Sequence, residues 1–201
     1  YPPVTTERWI ALPNAPTTGL TQSRFHQPSQ MPASAEADTF DIRELPGHAH
    51  FPTGAKEENY ADIGNAVHAY FAAIPSMRAF TNGQKVAVAE RCLSSFSVSG
   101  LLAPSVIVSS GDRFCAWVDT EFPGARWLTE VPVTVSRTDG GHWNGTIDLL
   151  LELPDGSLVV IDHKSAPIRR EHCAAKAAAF SAQLHAYRDM MNRTGNAVVT
   201  C

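Results

Sequence analysis

The sequence lacks the marks of several protein classes. Its four cysteines, Cys92, Cys115, Cys173 and Cys201, are scattered and form no C-x-x-C pair, which argues against a zinc ribbon or an iron–sulfur cluster. Free thiols in a reducing cytoplasm are the expectation. No apolar run approaches the roughly 20 residues of a membrane span, and the first residues lack the charged-then-apolar layout of a signal peptide. Without a secretion signal, Asn144-Gly145-Thr146 and Asn192-Arg193-Thr194 are chance matches to the glycosylation pattern. Basic residues are not in excess. Sixteen Lys and Arg face 20 Asp and Glu, for a net charge of -4, so the chain has no footprint of a free-standing nucleic-acid binder. There is no G-x-x-x-x-G-K-[ST] loop, so ATP is not bound here in the P-loop manner.

What is present describes a globular chain. Its 201 residues are 44% apolar and 18% charged, enough for one domain with a sizeable core. The texture changes near residue 60. Eight of the 14 prolines precede Gly54, among Ser, Thr, Gln and Ala with little apolar periodicity. Residues 1–59 therefore read as an extended arm or linker, and 60–201 as the folded domain. The chain starts without methionine and stops as "NAVVTC" begins to look like a strand, so a fragment of a longer protein, truncated at its C-terminus, is expected.

Helical spacing follows Asp62, a candidate N-cap, through Ile63, Val67, Tyr70, Phe71 and Ile74. Further helices are expected over Gln84 to Phe96, Pro104 to Glu121 and Arg170 to Asn192. Three strands, Arg126–Ser136, Trp143–Leu153 and Leu158–Lys164, are separated by the turn signals Asp139-Gly140 and Asp155-Gly156. A last strand ends the chain. Helices, a strand meander, a helix and a strand make an α/β or α+β sheet domain.

The chemistry concentrates in "GTIDLLLELPDGSLVVIDHKS", Gly145 to Ser165. This hairpin is apolar enough for a core, yet it carries Asp148, Asp162 and Lys164, whose burial is costly unless their charges are compensated. A three-residue loop Pro154-Asp155-Gly156 would pair Leu153 with Ser157 and set Asp148 directly across from Asp162. Asp162 and Lys164 would share one face and His163 the other. A loop one residue longer would place Asp148 beside His163 instead. Two close carboxylates repel unless a cation lies between them, and Mg²⁺ is commonly held by one or two carboxylates. A metal site with a neighbouring lysine and a plain Asp–Lys salt bridge at a strand end both satisfy these residues.

Four motifs in order extend the pattern: His68 within "IGNAVHAYF", G-x-x-D at Gly145–Asp148, D-x-K at Asp162–Lys164, and Q-x-x-x-Y at Gln183–Tyr187. Together, over about residues 60 to 201, they closely resemble the PD-(D/E)xK nuclease superfamily. Within it they resemble specifically the RecB-type nuclease domain found at the C-terminus of bacterial helicase–nuclease subunits of the exodeoxyribonuclease V and AddAB kind. The resemblance implies a restriction-endonuclease-like mixed β-sheet flanked by helices, behind the Pro-rich arm.

It further implies a Mg²⁺-dependent deoxyribonuclease, with Mn²⁺ able to substitute. His68, Asp148 and Asp162 would be metal ligands, joined by the backbone carbonyl of His163. Lys164 would act on the attacking water, and Gln183 and Tyr187 would border the site or touch DNA. His163 and Ser165 depart mildly from the aromatic residue and threonine common at those positions. Glu130 resembles a semi-regular acidic position with a supporting role. Implied partners are DNA ends or single strands, upstream helicase domains in the same polypeptide, which alone would use ATP, and a second helicase–nuclease subunit. The implied process is double-strand break repair. A catalytically inactive, DNA-handling copy of the fold is the alternative.

Overall fold

The computed structural model describes residues 25–30, 56–136, 141–165, 170–195 and 198–200. A mixed sheet lies between two helical layers. Strand β1 spans Phe25–His26, β2 Arg126–Ser136, β3 His142–Glu152, β4 Leu158–Ile161 and β5 Val198–Thr200; helix α1 spans Tyr60–Ala73, α2 Asn82–Ser95, α3 Pro104–Glu121 and α4 Cys173–Arg193. The expected α/β class, a restriction-endonuclease-like sheet flanked by helices, is the one observed.

Local chemistry marks two of the helix starts. At α2, Thr81 and Gln84 form a reciprocal capping box, with the Thr81 N–H donating to Gln84 Oε1 at 2.9 Å. Pro104 occupies the first turn of α3, where its missing N–H costs nothing. Helix α1 begins earlier than the sequence indicated. A 3₁₀ turn at Glu57–Asn59 leads straight into Tyr60, so Asp62 lies inside the first turn. There its charge complements the helix dipole, and it is not the N-cap.

Strand β3 is the centre of the sheet. Along one edge it pairs antiparallel with β2 from Arg126↔Glu152 to Ser136↔His142. Its other edge is shared. Antiparallel β4 covers Leu149 to Glu152, while β1 runs parallel beside His142 and Trp143. Between these partners no strand among the described residues covers the edge, and β4 leaves it after Ile161. The sheet therefore forks beside Asp148. Strand β5 extends the sheet beyond β4, in parallel.

The β3–β4 connection is the three-residue loop, with the Leu153 N–H donating to Ser157 O at 2.9 Å. Gly156 takes φ +84°, which a side chain would strain, and Asp155 Oδ1 accepts from the Ser157 N–H. The register runs from Leu149↔Ile161 to Glu152↔Leu158; continued one step past its end, it sets Asp148 opposite Asp162. One boundary needs correction: β4 ends at Ile161, so Asp162, His163 and Lys164 are extended but lie outside the ladder. Asp139-Gly140 lies outside the described residues.

Ile147, Leu150, Val160, Tyr187, Met190 and Met191 pack between the sheet and α4. Leu149, Leu151 and Val159 meet Val118 of α3 on the opposite face. Strict alternation would put Ile147 and Leu149 on one face, yet they belong to different cores. In β2, Leu128 and Val131 likewise share the α4 side. Both strands thus slip by one residue at the same place. In β2 the slip falls at Glu130, whose φ is +52°. In β3 it falls at Asp148.

Candidate active site

The site sits at the fork where β4 departs from β3. Asp148 Oδ2 accepts a 2.7 Å hydrogen bond from the backbone N–H of His163, tying the departing segment to the central strand. The same oxygen lies 3.5 Å from His68 Nδ1, delivered by α1. Asp162 Oδ2 is 2.5 Å from Lys164 Nζ, and Asp162 Oδ1 accepts from Gln183 Nε2 at 3.1 Å. Lys164 Nζ also lies 5.0 Å from the ring centre of Phe180 on α4.

Burial grades across this group. The Asp162 side chain is 7% exposed, Asp148 16%, His68 29% and Lys164 31%, so the lysine and imidazole form the rim and Asp162 the floor. Burial is the main force raising the Asp162 carboxyl above its usual range; Lys164 opposes it, and the Asp148 charge adds to it. Glu130 falls opposite Asp148 at the break between Thr129↔Leu149 and Val131↔Ile147. Its carboxyl is also raised, chiefly by burial and then by Asp148, with His68 opposing.

Tyr187 explains two motifs together. Its hydroxyl donates to Thr146 O at 2.7 Å, within the open edge of β3. A Cβ at Gly145 would stand 2.9 Å from Tyr187 Cε1 and 3.1 Å from Pro28 Cδ. Glycine is needed there because α4 and the segment after β1 both press onto the strand. Gln183, one helical turn before Tyr187, is the residue that reaches Asp162.

The seven residues picked out in the sequence therefore gather at one place, in two groups. His68, Asp148 and the His163 amide form one; Asp162, Lys164 and Gln183 form the other, with Tyr187 behind them. Among the described residues, no three His, Cys, Asp or Glu side chains are drawn close enough to enclose an ion. The donor chemistry nonetheless fits a hard divalent cation. Two carboxylates face each other across the fork, the almost wholly buried Asp162 is pushed up by burial and by the Asp148 charge, and only Lys164 lies beside it to offset this. Sequence reading missed Phe180 under Lys164 and the rings around His163, because aromatic residues on distant helices carry no motif.

The chain matches the PD-(D/E)XK nuclease superfamily over residues 43–200. It belongs to that superfamily. No curated protein matches it significantly. As a PD-(D/E)XK chain it is a nuclease by family, of a kind that acts on DNA and typically uses divalent metals. No described helix is long and apolar enough to cross a membrane.

Proposed function

We propose that this PD-(D/E)XK domain is a Mg²⁺-dependent exodeoxyribonuclease, the cutting domain of a cytoplasmic, ATP-driven helicase–nuclease that processes broken DNA ends. The observation that carries the reading is the cluster just past the last β3–β4 pair, Leu149↔Ile161: Asp148 beside His68 and the His163 amide, and Asp162 with Lys164 at 2.5 Å. On this reading residues 1–59 link the nuclease domain, 60–201, to helicase domains of the same polypeptide, and a second helicase–nuclease subunit completes the complex.

His68, Asp148, Asp162 and the carbonyl of His163 would hold Mg²⁺, or Mn²⁺ in its place. A cation held by these residues would supply Lewis acidity toward the phosphoryl oxygen and the attacking water. The chain's own residues do the rest. Gln183 and Lys164 fix the Asp162 carboxylate from two sides, one oxygen each. Lys164, the more exposed partner, presents a point charge to an incoming phosphate and a nitrogen to the attacking water. The Asp148 carboxylate orients His68 while holding the His163 amide. Tyr187 keeps α4, and hence Gln183, against β3.

Both acids and the lysine are present, which favours an enzyme over an inactive DNA-handling scaffold. Linear and covalently closed duplexes, each incubated with Mg²⁺ or with EDTA, test the reading. Loss of linear DNA alone, and only with Mg²⁺, is expected. Cleavage of closed circles would replace exonuclease with endonuclease, and binding without cleavage would support the scaffold.

A further inference from the structure

The ladder that should hold Asp162 and Lys164 stops at Ile161, yet function on the reading above needs these side chains fixed to within a fraction of an ångström. The structure shows what replaces the ladder. The His163 ring turns away from Asp162 and Lys164 into a slot between two helices. Its centre lies 4.9 Å from Phe71 of α1 and 5.0 Å from Phe114 of α3, both edge-on, with His68 edge-on at 6.0 Å. Two residues on, Ser165 is pressed against α1: a Cβ at Gly64 would meet its Oγ at 3.0 Å.

Among the described residues neither ring nitrogen of His163 has a hydrogen-bond partner. The imidazole is used as a flat apolar-packing ring, at some cost for its unpaired polar atoms. We propose that His163 is a positioning residue. Its side chain locks the off-ladder segment 162–165 onto α1 and α3, and thereby sets where Asp162, Lys164 and the His163 backbone point. The chemistry of the imidazole is not required; its shape is. This rests on the metal-dependent nuclease reading for its consequence, but not for the lock itself.

The test uses His163→Phe, His163→Ala and Phe114→Leu. Phe114→Leu opens the slot from α3 without touching residues 162–165, so it remains informative should His163→Ala unfold. Amide exchange at residue 163 is read without any metal. The expected result is protection unchanged in His163→Phe and weakened in the other two. With Mn²⁺ in calorimetry and in cleavage, His163→Ala should lose roughly 10–100-fold in affinity and turnover, while His163→Phe, which keeps a ring in the slot, and Phe114→Leu each lose only a smaller part of that.

If His163→Phe falls as far as His163→Ala, the imidazole itself is needed and the proposal is overturned. It is equally overturned if His163→Ala keeps amide protection and Mn²⁺ affinity. A wild type that shows the protection pattern but neither binds Mn²⁺ nor cuts DNA would leave the lock standing and remove the nuclease reading.

Discussion

Asp162 and His163 are neighbours that pay opposite electrostatic penalties. Asp162 is buried as a carboxylate that its surroundings would prefer protonated, while His163 is buried as a neutral ring. Burial pushes the His163 imidazole down from 6.5 to about 4, with Asp148 opposing and His68 and Lys164 assisting. The unfolded chain binds a proton at His163 near its ordinary value, and the fold refuses it until about 4. Between those values the unfolded state binds more protons, so stability is intact above 6.5 and is lost as pH falls. The loss approaches about 3 kcal/mol at the acid end of the window. His163→Phe removes the group, so its stability advantage over the wild type should widen as pH drops from 7.5 to 4.5. Urea unfolding across that range checks this; a constant gap would mean that the ring is solvated in the fold.

At the scale of elements, the site is a junction of β3, the end of β4, α1 and α4, and α4 and the segment after β1 both close on Gly145. Gly145→Ala forces its Cβ into Tyr187 and Pro28, so overpacking should cost about 1–3 kcal/mol and weaken the Tyr187–Thr146 bond that seats α4. Chemical denaturation measures the first effect. Tyr187→Phe in the same background measures the second, since its further cost should shrink once Gly145→Ala has displaced the ring.

The hairpin is legible in the sequence because Pro-Asp-Gly demands a short loop with a left-handed glycine, and a period of two then fixes every cross-strand pair. The joint slip at Glu130 and Asp148 is not legible there, since a non-glycine residue at positive φ leaves no trace in composition. Nor is β1: a two-residue parallel strand gains its stability from a partner more than 100 residues away, not from local pattern. The end of β4 is over-read from sequence for a related reason. "IDHK" alternates like a strand, but its hydrogen bonds and rings go to Asp148, Phe71 and Phe114 instead of a ladder.

The whole molecule carries 16 basic and 20 acidic side chains, and several acids crowd the place where phosphate must arrive. Non-specific DNA affinity comes mainly from phosphate neutralisation, so the chain alone should hold linear duplex weakly. Ca²⁺, which fills oxygen sites without supporting the reaction in the manner of Mg²⁺, should tighten that binding by about tenfold by neutralising Asp148 and Asp162. Fluorescence anisotropy with and without Ca²⁺ decides this, and no change would place the DNA path away from the acids. On the proposed reading a helicase motor in the same polypeptide supplies the strand at high effective concentration, so a weak intrinsic grip is tolerable.

The most direct test of the central claim separates the lysine from the proposed metal ligands. End-labelled linear DNA is incubated with wild type or Lys164→Ala in Mn²⁺, and Mn²⁺ binding by both proteins is measured alongside. Lys164→Ala should bind Mn²⁺ about as well as wild type and cut roughly 10²–10⁴-fold more slowly. Equal cleavage by the two proteins would contradict the assignment of this site as the nuclease centre.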